Sequence, residues 1–375
     1  MIKYALFKMY RQSMYRYLFF IVFIFIIFLI HYFASKRFVS KLDISASYKR
    51  SFKILIYLNF ISVLGYVYLR YNPQLPKILF YISSVSVGIV LLLFSVTFFY
   101  EIFFQIQKRV LFVKKYKRYF DLMFIVSIPI YVVIGIYSVE PKIVKVDIDE
   151  GVLPKSYKIA QISDLHIGRL VDRKFIRSVV EKINSQNVDL VVITGDLVDG
   201  GPVHYKKAID ELKKLKSRYG TFYIVGNHEY FYGVKKILNY VKSIGIVTLE
   251  NSFVKLKDFY VVGVCEKSRR SKKCSMDMVK AFKGIPKDAA TLLLAHQPKV
   301  IYELKGIKPS LILCGHTHGG QIWPFGYFVK LFQPYLKGLH KLSNKSYIYI
   351  SSGTGFWGPP MRVGTKGEIT IIKWR

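Results

Sequence analysis

The sequence predicts an α/β domain preceded by a bundle of about four transmembrane helices. Two observations indicate this division. Residues up to about 140 are dominated by Phe, Ile, Tyr, Val and Leu, whereas the later residues alternate short β-like runs with amphipathic segments. The 375 residues are enough for about two domains. We therefore expect a transmembrane domain over 1–140 and a second, soluble domain over 141–375.

The N-terminal part contains four uncharged apolar runs. The first includes the stretch LFFIVFIFIIFLI, which carries no polar side chain and approaches the length needed to cross a bilayer. No small-residue cleavage motif follows it and further apolar runs do, so it is predicted to be a span and not a signal peptide. Asn59 and Gly65 make the second run weaker. The spans are expected near 17–34, 54–69, 78–100 and 121–139.

Basic residues in the short loops bear on the orientation of these spans. The 35–52 loop carries five Lys and Arg residues and the 105–119 loop carries six, against two in the 70–77 loop. If the two richer loops are cytoplasmic, the soluble domain lies outside the cytoplasm of a multi-pass protein of the inner or plasma membrane. Four basic residues in the N-terminal tail argue for the opposite orientation.

The overall charge is strongly positive, with 57 Lys and Arg against 23 Asp and Glu. This balance is typical of proteins with anionic partners such as phospholipid, nucleic acid or phosphorylated substrates, although a genomic lysine bias gives the same pattern. The basic run KSRRSKK, 267–273, is expected to be a solvated loop or a site for an anionic head group. The cysteines, Cys265, Cys274 and Cys314, do not resemble a disulfide framework or a cysteine zinc site, and Cys314 lies in an apolar run.

The soluble domain places a polar motif after each of five β-like runs. Amphipathic segments over 174–184 and 205–217 have helical spacing and lie between the first three runs. This order predicts a sheet packed against helices, with the motifs at the strand ends where α/β sheets bind ligands. The five motifs are SDLH, TGDLVD, GNHE, AHQP and GHTHGG.

These motifs supply oxygen and nitrogen donors and no thiolate, a set that suits Mn, Fe or Zn. The number of donors exceeds what one ion needs, so the motifs predict two divalent metal ions, and the central Asp196 is placed to bridge them. Two ions can clamp an in-line phosphoryl displacement and lower the pKa of a bridging water. The donors are Asp164, His166, Asp196, Asn227, His228, His296, His316 and His318.

The order of the motifs resembles that of the calcineurin-like metallophosphoesterases. D-x-H is followed by G-D, then by GNHE, then by a single histidine and finally by G-H-x-H, and the match covers 157–375. GHTHGGQ and the tail GTGFWGPPMRVGTKGEI are similar to the bacterial membrane-associated branch of that family. The resemblance implies a four-layer αββα sandwich with its metals at the strand ends.

The resemblance also implies a role for each donor. Asp196 would bridge the metals, and His228 would face the leaving oxygen as a general acid or charge stabiliser. The implied ligands are Asp164, His166 and His318 for the first metal, and Asn227, His296 and His316 for the second. Outside these motifs, Arg362 in GPPMR is a candidate phosphate clamp, because Arg makes paired hydrogen bonds to phosphate oxygens.

The stretch 322–340, IWPFGYFVKLFQPYLKGLH, follows the last motif and mixes aromatic, aliphatic and Lys residues without a clear period. Two interpretations stay open. The stretch could be a loop that covers the core, or it could be an apolar lid or interfacial segment that lets the site meet lipid.

Together these patterns predict a membrane-anchored, dinuclear metal-dependent phosphoesterase. It would hydrolyse a phosphodiester or pyrophosphate, lipid- or envelope-linked, by attack of a metal-bridging hydroxide. Two alternatives stay open. A metal-dependent nuclease would suit the basic charge, although nucleic acid is the less favoured partner. A non-catalytic membrane receptor or scaffold would have to bury Asp and His groups without a metal, which is costly. No oligomeric state is predicted.

Overall fold

The computed structural model describes residues 18, 21–72, 74–267 and 274–375. The basic N-terminal tail and residues 268–273 of the basic run lie outside the described residues. The chain divides after Ile134 into two compact units.

Among the described residues, four helices that begin in the N-terminal unit are long and apolar enough to cross a membrane by length and composition. Many of their large apolar side chains are exposed, as expected for helices that contact the hydrocarbon core of a bilayer. The first helix ends in a π-helical turn, Ala34–Phe38, and a 3-10 turn, Val39–Lys41. The helices are α1 (Ile21–Lys41), α2 (Ala46–Tyr71), α3 (Lys77–Gln107) and α5 (Lys117–Tyr137), with the short α4 (Leu111–Lys115) between the last two.

Within the described residues, the second unit contains twelve strands in two six-stranded mixed sheets. The first sheet has the order β1-β12-β2-β3-β4-β5, and the second has the order β10-β11-β9-β8-β7-β6. The strands of the first sheet are β1 (Lys142–Ile148), β2 (Tyr157–Ile162), β3 (Leu190–Thr194), β4 (Thr221–Ile224), β5 (Val247–Thr248) and β12 (Glu368–Trp374). Those of the second are β6 (Ser252–Lys255), β7 (Tyr260–Gly263), β8 (Thr291–Leu294), β9 (Leu311–Cys314), β10 (Gly338–Ser343) and β11 (Ser346–Ile350).

Alternate residues of the buried strands enter different apolar layers, as the two-residue period of a strand requires. In β3, Leu190 and Val192 pack in the core between the sheets, whereas Val191 and Ile193 pack against helices. In β9, Leu311 faces the same inter-sheet core and Ile312 faces the other outer layer. The result is the predicted four-layer αββα sandwich.

The helices of the second unit lie outside the two sheets. The amphipathic stretch predicted over 174–184 is a helix whose N-cap, Asp172, accepts hydrogen bonds from Lys174 N and Phe175 N at 3.1 and 3.2 Å. The helices are α6 (Arg173–Asn184), α7 (Pro202–Ile209), α8 (Asn227–Tyr232), α9 (Val234–Ser243), α10 (Met278–Phe282) and α11 (Gly326–Phe332). Three 3-10 turns, Asp210–Lys214, Pro298–Glu303 and His318–Gly320, complete the unit.

One expectation about the cysteines is corrected. The sequence predicted no disulfide framework, yet Cys265 and Cys274 form a disulfide with their Cα atoms 5.5 Å apart. The two residues are nine positions apart, and a single short-range pair has no distinctive spacing in the sequence. Cys314 is free and buried, as its apolar run predicted.

Candidate metal centre

All the predicted donors meet at the carboxyl ends of parallel strands. Strands β2, β3 and β4 are parallel neighbours in the first sheet, and β8 and β9 are parallel neighbours in the second. The two sheets pack face to face, so their motif loops converge on one edge of the sandwich. Each donor lies within four residues of its strand end: Asp164 and His166 after β2, Asp196 after β3, Asn227 and His228 after β4, His296 after β8, and His316 and His318 after β9.

The backbone at these donors is strained. Five of them have φ between 49° and 73°, the left-handed region that non-glycine residues rarely adopt. Such conformations cost about 1–3 kcal/mol each and tend to occur at functional sites. The five are Asp164, His166, Asp196, His316 and His318.

Two glycines of the motifs allow the loops to approach each other closely. A Cβ on Gly315 would collide with Ser163 and with the carboxylate of Asp164, and a Cβ on Gly226 would collide with Asp196. Because Gly315 has no side chain, the backbone N–H of His316 can donate to the Asp164 carboxylate at 2.9 Å. The glycine before the first histidine of GHTHGG therefore serves the packing of two motif loops.

The first group of donors consists of Asp164, His166, Asp196 and His318. His166 Nε2 lies 3.1 Å from His318 Nε2 and 3.9 Å from Asp196 Oδ2, and His318 Nε2 lies 3.5 Å from Asp164 Oδ1. His166 Nδ1 lies 2.9 Å from Asp199 Oδ1 and can donate only if it carries the ring hydrogen. That tautomer turns the Nε2 lone pair towards the other donors.

The second group consists of Asp196, Asn227, His296 and His316. His296 Nε2 lies 3.3 Å from Asp196 Oδ2, 3.2 Å from Asn227 Oδ1 and 3.2 Å from His316 Nδ1. His296 Nδ1 lies 2.8 Å from the carbonyl oxygen of Thr194, to which it donates. When the ring is neutral, its Nε2 therefore presents a lone pair to these neighbouring oxygen and nitrogen atoms. A divalent cation satisfies such a set, so the residues present fit a metal centre.

Three of the candidate ligands, Asp196, His316 and His318, have protonation states that suit metal binding. Burial alone would raise the pKa of Asp196, but the neighbouring imidazoles of His296, His228 and His166 outweigh it and hold that pKa well below its usual range. Burial and the nearby His296 lower the pKa of His316 to about 3. Burial, with His166 and Arg362 nearby, lowers the pKa of His318. Metal ligands must be ionised carboxylates and neutral imidazoles, and these groups are in those forms at neutral pH.

Two other candidate ligands, His166 and His296, have a pKa that is shifted in the opposite direction. Burial alone would lower the pKa of His166, but Asp199 raises it to about 9. For His296, Asp196 likewise outweighs burial and raises the pKa well above the usual value. In both rings a neighbouring carboxylate stabilises the protonated form, and a metal ion bound at the same place would displace that proton.

Asp199 is not among the predicted donors, and it connects two histidines. Its Oδ1 accepts from His166 Nδ1 at 2.9 Å and from His228 Nδ1 at 2.6 Å. His228 lies at the N-terminus of α8, and its Nε2 is 3.8 Å from Asp196 Oδ2. Asp199 therefore fixes the orientation of a candidate metal ligand and of the candidate general acid together.

The structure gives Arg362 partners that differ from the predicted phosphate. Arg362 is fully buried, and its guanidinium donates to the carbonyl oxygens of His318, Gly353 and Gly355 at 3.1, 3.1 and 2.7 Å. These bonds hold the backbone of the GHTHGG loop against the C-terminal tail. These contacts make Arg362 a candidate for positioning the loop backbone, and its role as a phosphate clamp stays a prediction.

Two glutamates of the site were not singled out from the sequence. The fully buried Glu229 accepts four backbone hydrogen bonds. Its place three residues after Gly226, at a helix N-terminus, was an available signal in the sequence. Glu266 accepts from Gln297 Nε2 at 2.9 Å, beside His296. Burial, with a contribution from Asp196, raises the pKa of Glu266 to about 7.

The fold and the two converging groups define a metal-dependent phosphoesterase, and comparisons with known proteins agree. Residues 157–320 match the calcineurin-like phosphoesterase family. An uncharacterised metallophosphoesterase of Helicobacter pylori is 37% identical over 312 residues, which cover 81% of this chain and 84% of that protein. The chain therefore belongs to the calcineurin-like metallophosphoesterase family.

Other similar proteins include bacterial and animal sequences. An uncharacterised metallophosphoesterase of Campylobacter jejuni is 36% identical, with 69% of this chain and 71% of that protein covered. A protein of Danio rerio named transmembrane protein with metallophosphoesterase domain is 34% identical, with 62% of this chain and 57% of that protein covered. A crystal structure of a dimetal phosphatase from Danio rerio is 14% identical, with a TM-score of 0.34 over 53% of this chain and 88% of that chain.

Proposed function

We propose that this chain hydrolyses a phosphodiester or pyrophosphate with two divalent cations, of Mn, Fe or Zn. One observation carries the proposal. A single oxygen, Asp196 Oδ2, lies 3.9 Å from His166 Nε2 and 3.3 Å from His296 Nε2, so one carboxylate serves both donor groups. Asp164, His166 and His318 would hold one cation and Asn227, His296 and His316 the other, with Asp196 shared.

When bound, the cations would supply the charge that stabilises a phosphoryl group and the acidity that yields hydroxide at neutral pH. The chain supplies orientation and a proton. His228 donates from Nδ1 to Asp199, which leaves Nε2 as the nitrogen available to the leaving oxygen. Arg362 acts through the loop backbone by holding the carbonyl oxygen of His318.

The substrate is proposed to be lipid- or envelope-linked. The support is the anchoring of the site, because four helices of this chain are apolar and long enough to cross a membrane. Only residues 138–141 separate the end of α5 from the start of β1. A chain of that length spans at most roughly 18 Å, so the domain stays close to a bilayer that holds α5.

The catalytic domain is proposed to face the oxidising, extracytoplasmic side of the cell membrane. The disulfide between Cys265 and Cys274 supports this orientation, since disulfides persist in oxidising compartments and are rare in the cytosol. The excess of basic residues in the 35–52 and 105–119 loops supports it as well.

Labelling of thiols tests the orientation. Full-length protein is denatured directly from cells in excess N-ethylmaleimide, and its mass is measured. The chain has three cysteines, so one label is expected when Cys265 and Cys274 are paired and only Cys314 reacts. A sample reduced before labelling is the control and takes three labels. Three labels without reduction would contradict the proposed side of the membrane.

Metal removal tests the activity. Full-length protein in nanodiscs is stripped with a chelator, reloaded with Mn, Fe or Zn, and assayed on a soluble aryl phosphodiester and on the matching monoester. We expect hydrolysis to disappear with the metal and to return on reloading, faster for the diester. A folded protein that takes up no metal by elemental analysis would overturn the proposal. Cleavage of DNA or RNA in preference to the aryl diester would favour a nuclease.

A further inference from the structure

The segment that follows the GHTHGG loop is apolar and exposed. Residues 323–332, here the aromatic segment, include α11, in which no side chain is buried. Tyr327, Leu331 and Phe332 are 64%, 75% and 69% exposed. The segment therefore does not pack as a loop that covers the core, which was one of the two interpretations of the sequence. Soluble domains rarely expose contiguous apolar surface without a function for it.

The apolar surface continues to the candidate general acid. The ring centroid of His228 lies 5.8 Å from that of Phe231 and 6.4 Å from that of Trp357, and both of these side chains are about half exposed. Gln321 joins Trp357 to the start of the aromatic segment, since its Oε1 accepts from Trp357 N at 3.0 Å and its Nε2 donates to Trp357 O at 2.9 Å.

The aromatic segment is fixed to the loops that carry the candidate ligands. Thr317, between His316 and His318, donates from Oγ1 to the carbonyl oxygen of Leu336 at 2.6 Å. Gln333 donates to Gln297, which follows His296, at 3.1 Å. The chain at the C-terminal end of α11 is thus held beside the site. A partner that covers the aromatic segment would therefore also border the site.

We propose that this surface docks on the lipid bilayer in which the chain is anchored. The short connection between α5 and β1 keeps the domain near that bilayer. The stretch 322–340 contains Lys330 and Lys337 and no acidic residue, and this charge complements anionic phospholipid head groups. Exposed aromatic and leucine side chains beside Lys are typical of segments that lie in the membrane interface. This inference rests on the proposed phosphoesterase function. Docking would extend that function, because it brings lipid head groups to the mouth of the site.

Tryptophan fluorescence provides a direct test, because the chain has three tryptophans and all lie in the second unit. Trp323 and Trp357 are 40% and 49% exposed on the proposed surface, whereas Trp374 is fully buried in the core between the sheets. Full-length protein is placed in nanodiscs of phosphatidylglycerol and phosphatidylcholine with brominated or ordinary acyl chains. Side chains that enter the interface by 5–10 Å should lose about half of their emission to bromine.

The double variant Trp323→Phe/Trp357→Phe keeps only Trp374, and its emission should not change with bromination. Leu331→Asp should reduce the quenching of the wild-type tryptophans. Val279→Asp is the matched control, since Val279 is 73% exposed on α10 and lies outside the surface. The blue-shifted emission of Trp374 reports in every sample that the domain is folded.

Equal emission of the wild type in brominated and ordinary lipid would overturn the proposal. Protection of Trp323 and Trp357 from both brominated lipid and aqueous acrylamide would also overturn it, since a second protein surface would then cover them. Leu331→Asp should still hydrolyse the soluble aryl diester, which does not need the bilayer. Its activity therefore separates a failure of docking from a failure of the proposed phosphoesterase reaction.

Discussion

An Asp196→Asn variant of the full-length protein is expected to lose both bound metal and phosphodiesterase activity. Asp196 is the one donor shared by the two groups, and its ionised form is held by three imidazoles. An amide keeps the shape of the side chain but removes the charge that two cations would share. We expect activity to fall by more than about 100-fold, because changing a residue that only supports a metal ligand already costs about 10–100-fold.

A His228→Asn variant is the matched comparison for Asp196→Asn. His228 is proposed to give a proton and not to bind metal, so this variant should retain its metal by elemental analysis. Its loss should be about 10²–10⁴-fold for esters with basic alcohol leaving groups, which need general acid catalysis, and much smaller for nitrophenol esters. Metal retained at wild-type levels in Asp196→Asn would contradict the shared-ligand role. An equal loss of rate for all leaving groups in His228→Asn would contradict the proton-transfer role.

The convergence of the donors was predictable because each one follows a strand. Parallel strands end at the same edge of a sheet, so a motif placed after β2, β3 and β4 had to meet its neighbours there. The hydrogen bonds that orient the candidate ligands could not be predicted from the sequence. Nothing in TGDLVD indicates that Asp199 would accept from both His166 and His228, because that arrangement depends on the bend of two separate loops.

The pairing of strands that are far apart in the sequence could not be predicted either. The last strand, β12, inserts between β1 and β2, parallel to the first and antiparallel to the second. No local pattern in residues 368–374 specifies partners more than 200 positions away. Arg362 was assigned to phosphate because a guanidinium suits phosphate oxygens, but it suits backbone carbonyls equally well. The hydrogen bonds of Arg362 to Gly353 and Gly355 depend on the conformation of the C-terminal tail, which the short motif GPPMR does not specify.

A Glu229→Gln variant is expected to destabilise the second unit strongly. The Glu229 carboxylate is fully buried and accepts from the backbone N–H groups of two motif loops. Its Oε2 accepts from Gly226 and Asp196 at 2.6 and 3.1 Å, and its Oε1 accepts from Leu197 and Val198 at 2.8 and 3.4 Å. In either orientation a glutamine amide would place its own N–H₂ against two backbone donors. Leaving buried groups of this kind unsatisfied costs about 3–5 kcal/mol where a charge is involved.

Thermal unfolding measures this cost in the full chain, because every tryptophan lies in the second unit and Trp374 packs in its core against Phe259. With metal removed, the fluorescence midpoint of Glu229→Gln should fall by about 6–20 °C, at 2–4 °C for each kcal/mol in a domain of this size. Glu250→Gln is the control, since Glu250 forms a surface ion pair with Lys242, and its midpoint should shift by less than about 4 °C. Similar midpoints for the two variants would show that the four backbone bonds do not depend on the charge of Glu229. The large shift is expected because the Glu229 carboxylate holds the loops after β3 and β4 against each other. The position of Asp196 between the two donor groups therefore depends on Glu229, which is not itself a candidate metal ligand.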